Sequence, residues 1–344
     1  MPEPIMLKLK SISEFLTNAS SAVLLDARSE GEFEQGHIPG AISFPILNNE
    51  ERILVGTCYK QQGHREAVIL GYKLIGPKFN EIIAQAYERF DGKEIHVHCW
   101  RGGLRSQIMG SLLQSAGFKV SILEGGYKSY RSLVLEYLAG NFKFEVLGGL
   151  TGSGKTSILL DLEKRGAQVI DIEGLANHKG SAFGALGLEK QPTQEYFENL
   201  FYQKLSSLDP SKVIWVEDES RLIGSLQVPT SIYNAIRNSF VHFLDYSFEK
   251  RKAQIIIEYG CFDLNLLAFI TEKIRKRMGD LNNRLAVEAI KNGDKEAWAD
   301  LVLSHYDKQY IYGFSQREPN KSRQVGAEGE ALLLELLSIQ SNNL

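Results

Sequence analysis

The run from Phe142 to Gly166, FKFEVLGGLTGSGKTSILLDLEKRG, leaves few folds open to its half of the chain. An apolar strand pattern, FKFEVL, opens it, and a helical pattern, SILLDLEKR, closes it at Gly166. Between them lies Gly149-Leu150-Thr151-Gly152-Ser153-Gly154-Lys155-Thr156, a full P-loop in the strand-to-helix context that the motif requires. The amides of residues 152 to 156 and the positive end of the following helix wrap a diphosphate, which Lys155 neutralises. Thr156 is the expected Mg²⁺ ligand. Glu217 or Asp218, at the end of the apolar strand VIWVED, is placed to hold that metal through water. What such a loop recognises is a diphosphate, and the rest of the ligand stays open.

A second strand-to-helix turn lies upstream, in Glu94 to Ser106, EIHVHCWRGGLRS. Ile95 and Val97 alternate with His96 and His98 as in a strand, and Ile108, Met109, Leu112 and Leu113 take up helical spacing after Arg105. Cys99 then sits where loop amides and a helix N-terminus converge, with Arg101 or Arg105 beside it. All of these lower a thiol pKa and hold a tetrahedral oxyanion. Gly102 and Gly103 let the backbone curl that tightly. A merely structural cysteine needs neither glycines nor arginines as neighbours.

At 344 residues the chain is long enough for two domains. The boundary is expected near Leu138 to Asn141, giving domains 1–138 and 139–344. A hydrophobic content of 43% and a charged content of 24% are those of a globular protein; with no long apolar stretch and no signal pattern at MPEPIMLKLK, a cytoplasmic location and no membrane partner are expected. Cys58, Cys99 and Cys261 are odd in number and widely spaced, which argues against a disulfide framework or a structural zinc site. A net charge of −3 supplies no bulk attraction to nucleic acid, so binding to one must use a local basic patch.

In the first half, AVLLD at Ala22 to Asp26 reads as a buried strand, followed by His37-Ile38-Pro39-Gly40-Ala41. With the CWRGGLRS loop and Gly125-Gly126-Tyr127 after the strand Val120 to Leu123, this region, residues 8 to 138, resembles the rhodanese family. The resemblance implies that Cys99 carries sulfur or a related chalcogen and that Arg105 and the loop amides bind an anionic donor. Five residues separate Cys99 from Arg105, one more than in typical single-sulfur rhodaneses, and the spacing also fits cysteine phosphatases. Such a loop suits a larger, phosphate-bearing anion. Asp26, Arg28 and His37 read better as hydrogen-bonding groups of the sheet edge than as catalysts. Ala67, Leu70, Gly71 and Leu74 predict a helix from near Gly63 to Glu66, with Cys58 in a less regular part before it as a packed small side chain.

A rhodanese-like domain joined to a P-loop domain that carries GGLTGSGKT and GLANHKGSAFG (174–184) closely resembles the bacterial tRNA 2-selenouridine synthase family. In isolation the latter segment would read as a flexible surface loop. The expected architecture is α/β: an open parallel sheet, then a P-loop α/β domain with a helical C-terminal part. The resemblance implies two reactions on the wobble uridine of tRNA: the 2-thiouridine sulfur takes a geranyl group from geranyl diphosphate, and the alkylated base then exchanges sulfur for selenium from selenophosphate. A prenyl chain needs an apolar groove beside the diphosphate cradle, for which Phe183, Leu186, Leu188, Tyr196, Phe197 and Phe201 are candidates. The alternative is a cysteine phosphatase or sulfurtransferase fused to a small-molecule kinase-like domain, although no aspartate stands out as a phosphatase general acid.

The C-terminal third reads as helical from Leu264 to Met278 and beyond. Lys273, Arg275, Lys276, Arg277 and Arg284 form its densest basic run, equally readable as a solvated face or as contacts to tRNA phosphates. Tyr306, Tyr310 and Tyr312 could stack a base or pack in the core. From Glu318 the tail reads as polar, then helical at EGEALLLELLSIQ, then disordered.

Overall fold

A computed structural model describes residues 7–17, 22–318 and 321–342. The chain divides into two compact units, Met1–Tyr137 and Leu138–Leu344.

The first unit is built on five parallel strands: β1 (Lys8–Lys10), β2 (Val23–Asp26), β3 (Ile42–Ser43), β4 (Ile95–His98) and β5 (Val120–Leu123), in the order β1-β5-β4-β2-β3. Helices cover both faces of such a sheet, so its central strands are apolar throughout or carry polar groups with local partners. Every residue of β4 and β5 is buried. Ile95 and Val97 pack with Leu25, Phe90, Met109 and Leu113, and the neutral His96 and His98 take the other face of β4. Between β3 and β4 the chain forms a helical hairpin, Asn49–Gln62 and His64–Ile75, which turns at Gly63 with φ of +99°. The second helix lies where the spacing of Ala67, Gly71 and Leu74 predicts it. The first corrects the expectation of an irregular segment: Cys58 is buried on a regular helix. Asn48 and Glu51 cap each other's backbone amides and start that helix, but Ile53 and Leu54 stay exposed, so its apolar residues share no single face and no period signals it.

The second unit carries another parallel five-stranded sheet, from β6 (Glu145–Gly149), β7 (Gln168–Ile170), β8 (Ile214–Glu217), β11 (Phe240–Leu244) and β12 (Ser322–Val325), in the order β12-β11-β6-β8-β7. A two-residue-per-strand ribbon, β9 (Leu222–Ile223) and β10 (Leu226–Gln227), follows β8. Leu147, Leu159, Trp215, Leu244 and Leu336 form the core under the sheet. A separate helical core gathers Phe183, Tyr259, Leu267, Ile290, Trp298 and Leu303. The stretch read as one helix, Leu264 to Met278, breaks at Ile274 into Leu264–Lys273 and Arg275–Met278. The polar tail contains the edge strand β12 before its helix, Gly329–Asn342; the disordered end expected after that helix lies outside the described residues. Among the described residues no single helix is long and apolar enough to cross a membrane.

Candidate active sites

Cys99 follows the last residue of β4, at the carboxyl edge of the first sheet, and is 3% exposed. The turn after it is pressed against the Gly125-Gly126 bend: Tyr127 N donates to Cys99 O (2.8 Å) and Lys128 N to Trp100 O (2.9 Å). Gly126 has φ of +62°, and a Cβ there would fall 2.4 Å from both Cys99 O and Gly102 N. Only glycine lets the two turns approach this closely. The helix Leu104–Ser115 starts within the loop, so its positive end faces the sulfur's surroundings. Cys99 Sγ lies 3.2 Å from Ser106 Oγ, whose hydroxyl is also 3.0 Å from Gly103 O. That hydroxyl accepts from a thiol and can rotate to donate to a thiolate.

The two arginines have different situations. Arg101 is exposed. Arg105 is half-buried and held in a fork by Glu32, with Nη1 2.5 Å from Oε2 and Nη2 3.2 Å from Oε1. Burial would raise the Glu32 carboxyl, but the hydrogen bonds and charge of Arg105 outweigh it and hold Glu32 below the usual carboxylate range. The cation beside Cys99 is thus already paired. Glu32 is a site residue that the sequence reading missed; it sits in EGEFEQ, a helix rich in acids with no mark to single one out.

Asp26 and Arg28 pair with each other, Nη2 to Oδ2 at 2.6 Å, in full burial, and Arg28 also donates to Gly36 O and stacks 3.8 Å over Tyr127. His98 is buried 3.8 Å from Asp26, and desolvation pushes its pKa down to about 4, so it stays neutral. His37 stacks on Phe33 and meets Phe33 O through Nδ1.

In the second unit the P-loop runs from β6 into the helix Lys155–Lys164. Gly152 and Gly154 have φ of +81° and +73°, and a Cβ on Gly152 would meet Arg251 O at 2.6 Å. Ser153 is buried within the loop. Arg251 supports it from outside: Nη1 donates to Thr151 O (3.0 Å), and the guanidinium pairs with Asp307. Lys155 Nζ donates back to Gly149 O (2.9 Å), while Gly149 N donates to Tyr310 Oη (3.1 Å). The loop lines one end of a cavity of about 1070 Å³.

Three carboxylates face that end. Oxygens of Glu173, Glu217 and Glu219 lie within 4.8 Å of one another, and Thr156 Oγ1 is 3.3 Å from Glu173 Oε2. Glu217 is buried and its Oε1 has no hydrogen-bond partner. Burial, then repulsion by Glu219 and Glu217, pushes Glu173 up to about 10; burial and Glu217 push Glu219 to about 8. This donor set fits a hard divalent cation, which would relieve both the repulsion and the orphaned oxygen. Asp218 is used otherwise: it pairs with Arg317 and accepts from Tyr310 Oη (2.9 Å). Successive side chains of a strand diverge, so of the two acids at the end of VIWVED only Glu217 faces Thr156. Glu219 lies beyond the strand, in a turn where its N–H donates to Glu217 O (2.9 Å), and Glu173 comes from another segment, so strand alternation marks neither.

Apolar side chains line the same cavity, among them Phe183, Ile255, Tyr259, Ile274, Trp298 and Leu303; Ile255 lies against the P-loop, 3.1 Å from where a Cβ on Gly152 would fall. Of the six apolar candidates, Phe183 and Leu188 line it, whereas Phe197 and Phe201 pack edge-to-face in the interior away from it and Leu186 and Tyr196 are not part of the lining. The segment 174–184, flexible when read alone, is an ordered wall. Asn177 is left-handed (φ 47°), His178 is buried, Lys179 Nζ pairs with Glu258 (2.5 Å), and Gly180 leaves room for the carboxylates of Glu173 and Glu219.

The basic run is exposed throughout: Lys273, Arg275, Lys276, Arg277 and Arg284 all reach solvent, Arg275 pairs with Asp280 (2.8 Å), and Arg277 also lines the cavity. Tyr306 and Tyr310 are half-buried in the cavity wall, each with its hydroxyl bound, and Tyr312 is exposed.

A cysteine loop at the edge of one parallel sheet and a P-loop at the edge of another define a rhodanese-like unit linked to a P-loop unit. Comparison with known proteins gives the same division: residues 10–133 match the rhodanese-like domain, and residues 142–332 match the tRNA 2-selenouridine synthase AAA domain. The chain is 35% identical over 332 residues to the tRNA 2-selenouridine synthase of Shewanella halifaxensis (strain HAW-EB4), covering 86% of this chain and 89% of that one. It is 34% identical over 345 residues to the protein of the same name from Pseudomonas syringae pv. syringae (strain B728a), covering 87% and 90%. The chain belongs to the tRNA 2-selenouridine synthase family.

Proposed function

We propose that this protein modifies the wobble uridine of tRNA in two reactions: geranyl transfer from geranyl diphosphate to the sulfur of 2-thiouridine, then replacement of the alkylated sulfur by selenium from selenophosphate. The observation that carries the first reaction is the cavity beside the P-loop. A diphosphate cradle that shares one cavity with Phe183, Ile255, Trp298 and Leu303 matches a short prenyl diphosphate, whose hydrocarbon those apolar side chains would cover.

The chemistry follows from the residues. The uridine sulfur attacks the first carbon of the geranyl chain, the C–O bond breaks, and the electron pair leaves on the diphosphate, where Lys155 and the loop amides hold it. Glu173, Glu217, Glu219 and Thr156 are the residues that would hold Mg²⁺, which when bound adds positive charge beside the leaving group. In the second reaction the selenium of selenophosphate bonds to C2 of the base as the sulfur leaves with its geranyl group as a thiol; the phosphoryl group then leaves the selenium. The amides of the 99–105 loop bind the phosphate-bearing donor, and the Cys99 thiolate accepts the phosphoryl group as its bond to selenium breaks, before water hydrolyses the thiophosphate to free thiol and phosphate. Lys273, Arg275, Lys276, Arg277 and Arg284 bind tRNA phosphates.

Calorimetry with geranyl diphosphate, dimethylallyl diphosphate and ATP tests the cavity. Geranyl diphosphate is expected to bind most tightly, and the chain shorter by one isoprene unit to bind about 2 kcal/mol more weakly because it buries less apolar area. Equal affinity for the two prenyl donors, or a preference for ATP, would reject the prenyl assignment.

A further inference from the structure

The first unit contains a groove of about 540 Å³ that the reactions above do not use. The helical hairpin 49–75 forms most of it, through Ile53, Val55, Val68, Tyr72 and Ile75, and Leu104, Arg105 and Ile108 close it. Those last three belong to the helix Leu104–Ser115, which begins inside the Cys99 loop. The groove therefore reaches the Cys99 loop through Leu104 and Arg105. Its size falls within the usual range of small-ligand pockets, roughly 300 to 1,000 Å³. Four of its large apolar side chains are left open to water: Ile53, Tyr59, Tyr72 and Leu104, with Ile53 at 59% and Tyr72 at 49% exposure. Arg52, Lys60, His64 and Arg105 contribute its polar lining and no carboxylate does; Glu32, outside the lining, pairs with both Arg105 and Arg52 (3.7 Å), so Lys60 is the lining cation without an ion pair among the described residues.

An apolar trough with Lys60 at its rim and no carboxylate in its lining fits a hydrocarbon chain attached to a polyanion. We propose that this groove is a second prenyl subsite, which seats the geranyl chain carried by the tRNA base while its sulfur is exchanged at the Cys99 loop. This rests on the two-reaction reading above. In that reading the chain is bound once as a diphosphate, in the P-loop cavity, and a second time as a thioether on RNA. The thioether carries no diphosphate for a P-loop to grip, so recognition of the alkylated base must come from the hydrocarbon and the RNA phosphates, and this groove offers partners for both.

The test measures binding of two anticodon-arm RNA hairpins to the full chain by fluorescence anisotropy, one with S-geranyl-2-thiouridine at the wobble position and one with S-methyl-2-thiouridine. The wild-type protein is expected to prefer the geranyl hairpin roughly tenfold or more. Ile53→Asp and Tyr72→Ala, both at exposed positions, are expected to abolish that preference without weakening the S-methyl hairpin, and Ile53→Leu to restore it. Geranyl transfer from geranyl diphosphate to a 2-thiouridine hairpin, which the groove does not serve, is expected to continue at the wild-type rate in all three variants. Equal binding of the two hairpins by the wild type, or a preference that survives both Ile53→Asp and Tyr72→Ala, would overturn the subsite while geranyl transfer continued. Equal weakening of both hairpins would overturn it too, as a general weakening of RNA binding. Absence of geranyl transfer in the wild type would instead overturn the two-reaction reading, and the subsite with it.

Discussion

The Cys99 loop and the P-loop have the same backbone plan and opposite electrostatic settings. Each leaves the carboxyl end of a parallel strand, curls with glycine at positive φ (Gly102 in one, Gly152 and Gly154 in the other) and enters a helix. Beside Cys99 the nearby cation, Arg105, is already neutralised by Glu32, and the reactive group is a buried sulfur. At the P-loop, Lys155 donates to a backbone carbonyl and lies 5.9 Å from the centre of the Tyr310 ring, and three carboxylates with raised pKa values stand opposite Thr156. One plan thus yields a buried thiol beside a neutralised cation, and another a lysine beside a cluster of carboxylates; the functions proposed above rest on that difference. What separates them is the side chains that the rest of each unit brings to the loop.

Changes confined to one loop sharpen this comparison. The largest effect is expected for Cys99→Ser: a hydroxyl near its ordinary pKa cannot replace the thiolate, so 2-selenouridine vanishes while S-geranyl-2-thiouridine still forms. Mass spectrometry of tRNA nucleosides from a strain carrying only this variant reads both products, and normal 2-selenouridine would remove the sulfur from the mechanism. Lys155→Ala acts on the other loop. Removing the cation at the leaving group is expected to cost about 3 kcal/mol, roughly a hundredfold in the rate of geranyl transfer by purified protein; an unchanged rate would assign the P-loop another task.

A smaller effect concerns the carboxylates. Glu173 and Glu219 have folded pKa values above their unfolded ones, so without metal the folded state binds more protons, and stability falls as pH rises from the ordinary carboxylate range towards about 8 to 10. Mg²⁺ requires the deprotonated cluster. Thermal melts are therefore expected to show a larger stabilisation by Mg²⁺ at about pH 8.5 than at about pH 6.5, and Glu217→Gln to reduce it at both. A Mg²⁺ effect independent of pH would separate the cation from this cluster. The smallest change is expected for Arg275, Lys276 and Arg277 replaced together by alanine: the slope of log K for tRNA against log salt should flatten by about one unit for each phosphate that these side chains neutralise. An unchanged slope would leave the run as a solvated surface.

Both loops and the strands and helices around them were legible in the chain because their signals are local. A P-loop or a cysteine loop needs particular residues at particular spacings within about fifteen positions, and the flanking elements carry their own period. The α/β class followed from the same patterns. Tertiary structure alone decided what faces each loop. Glu32 meets Arg105 across 73 residues of sequence, Glu173 joins Glu217 from a different strand's end, and Phe183, Ile255 and Trp298 converge on one cavity from three segments. Nor did any pattern mark β12 or the helix that buries Cys58, since three of the four β12 residues are exposed and that helix has no apolar face. Local sequence encodes the conformation of a turn through glycine and hydrogen-bonding geometry. The charge and shape of the space beside it depend on side chains distant in sequence, and those come together only when the sheet and its helices pack.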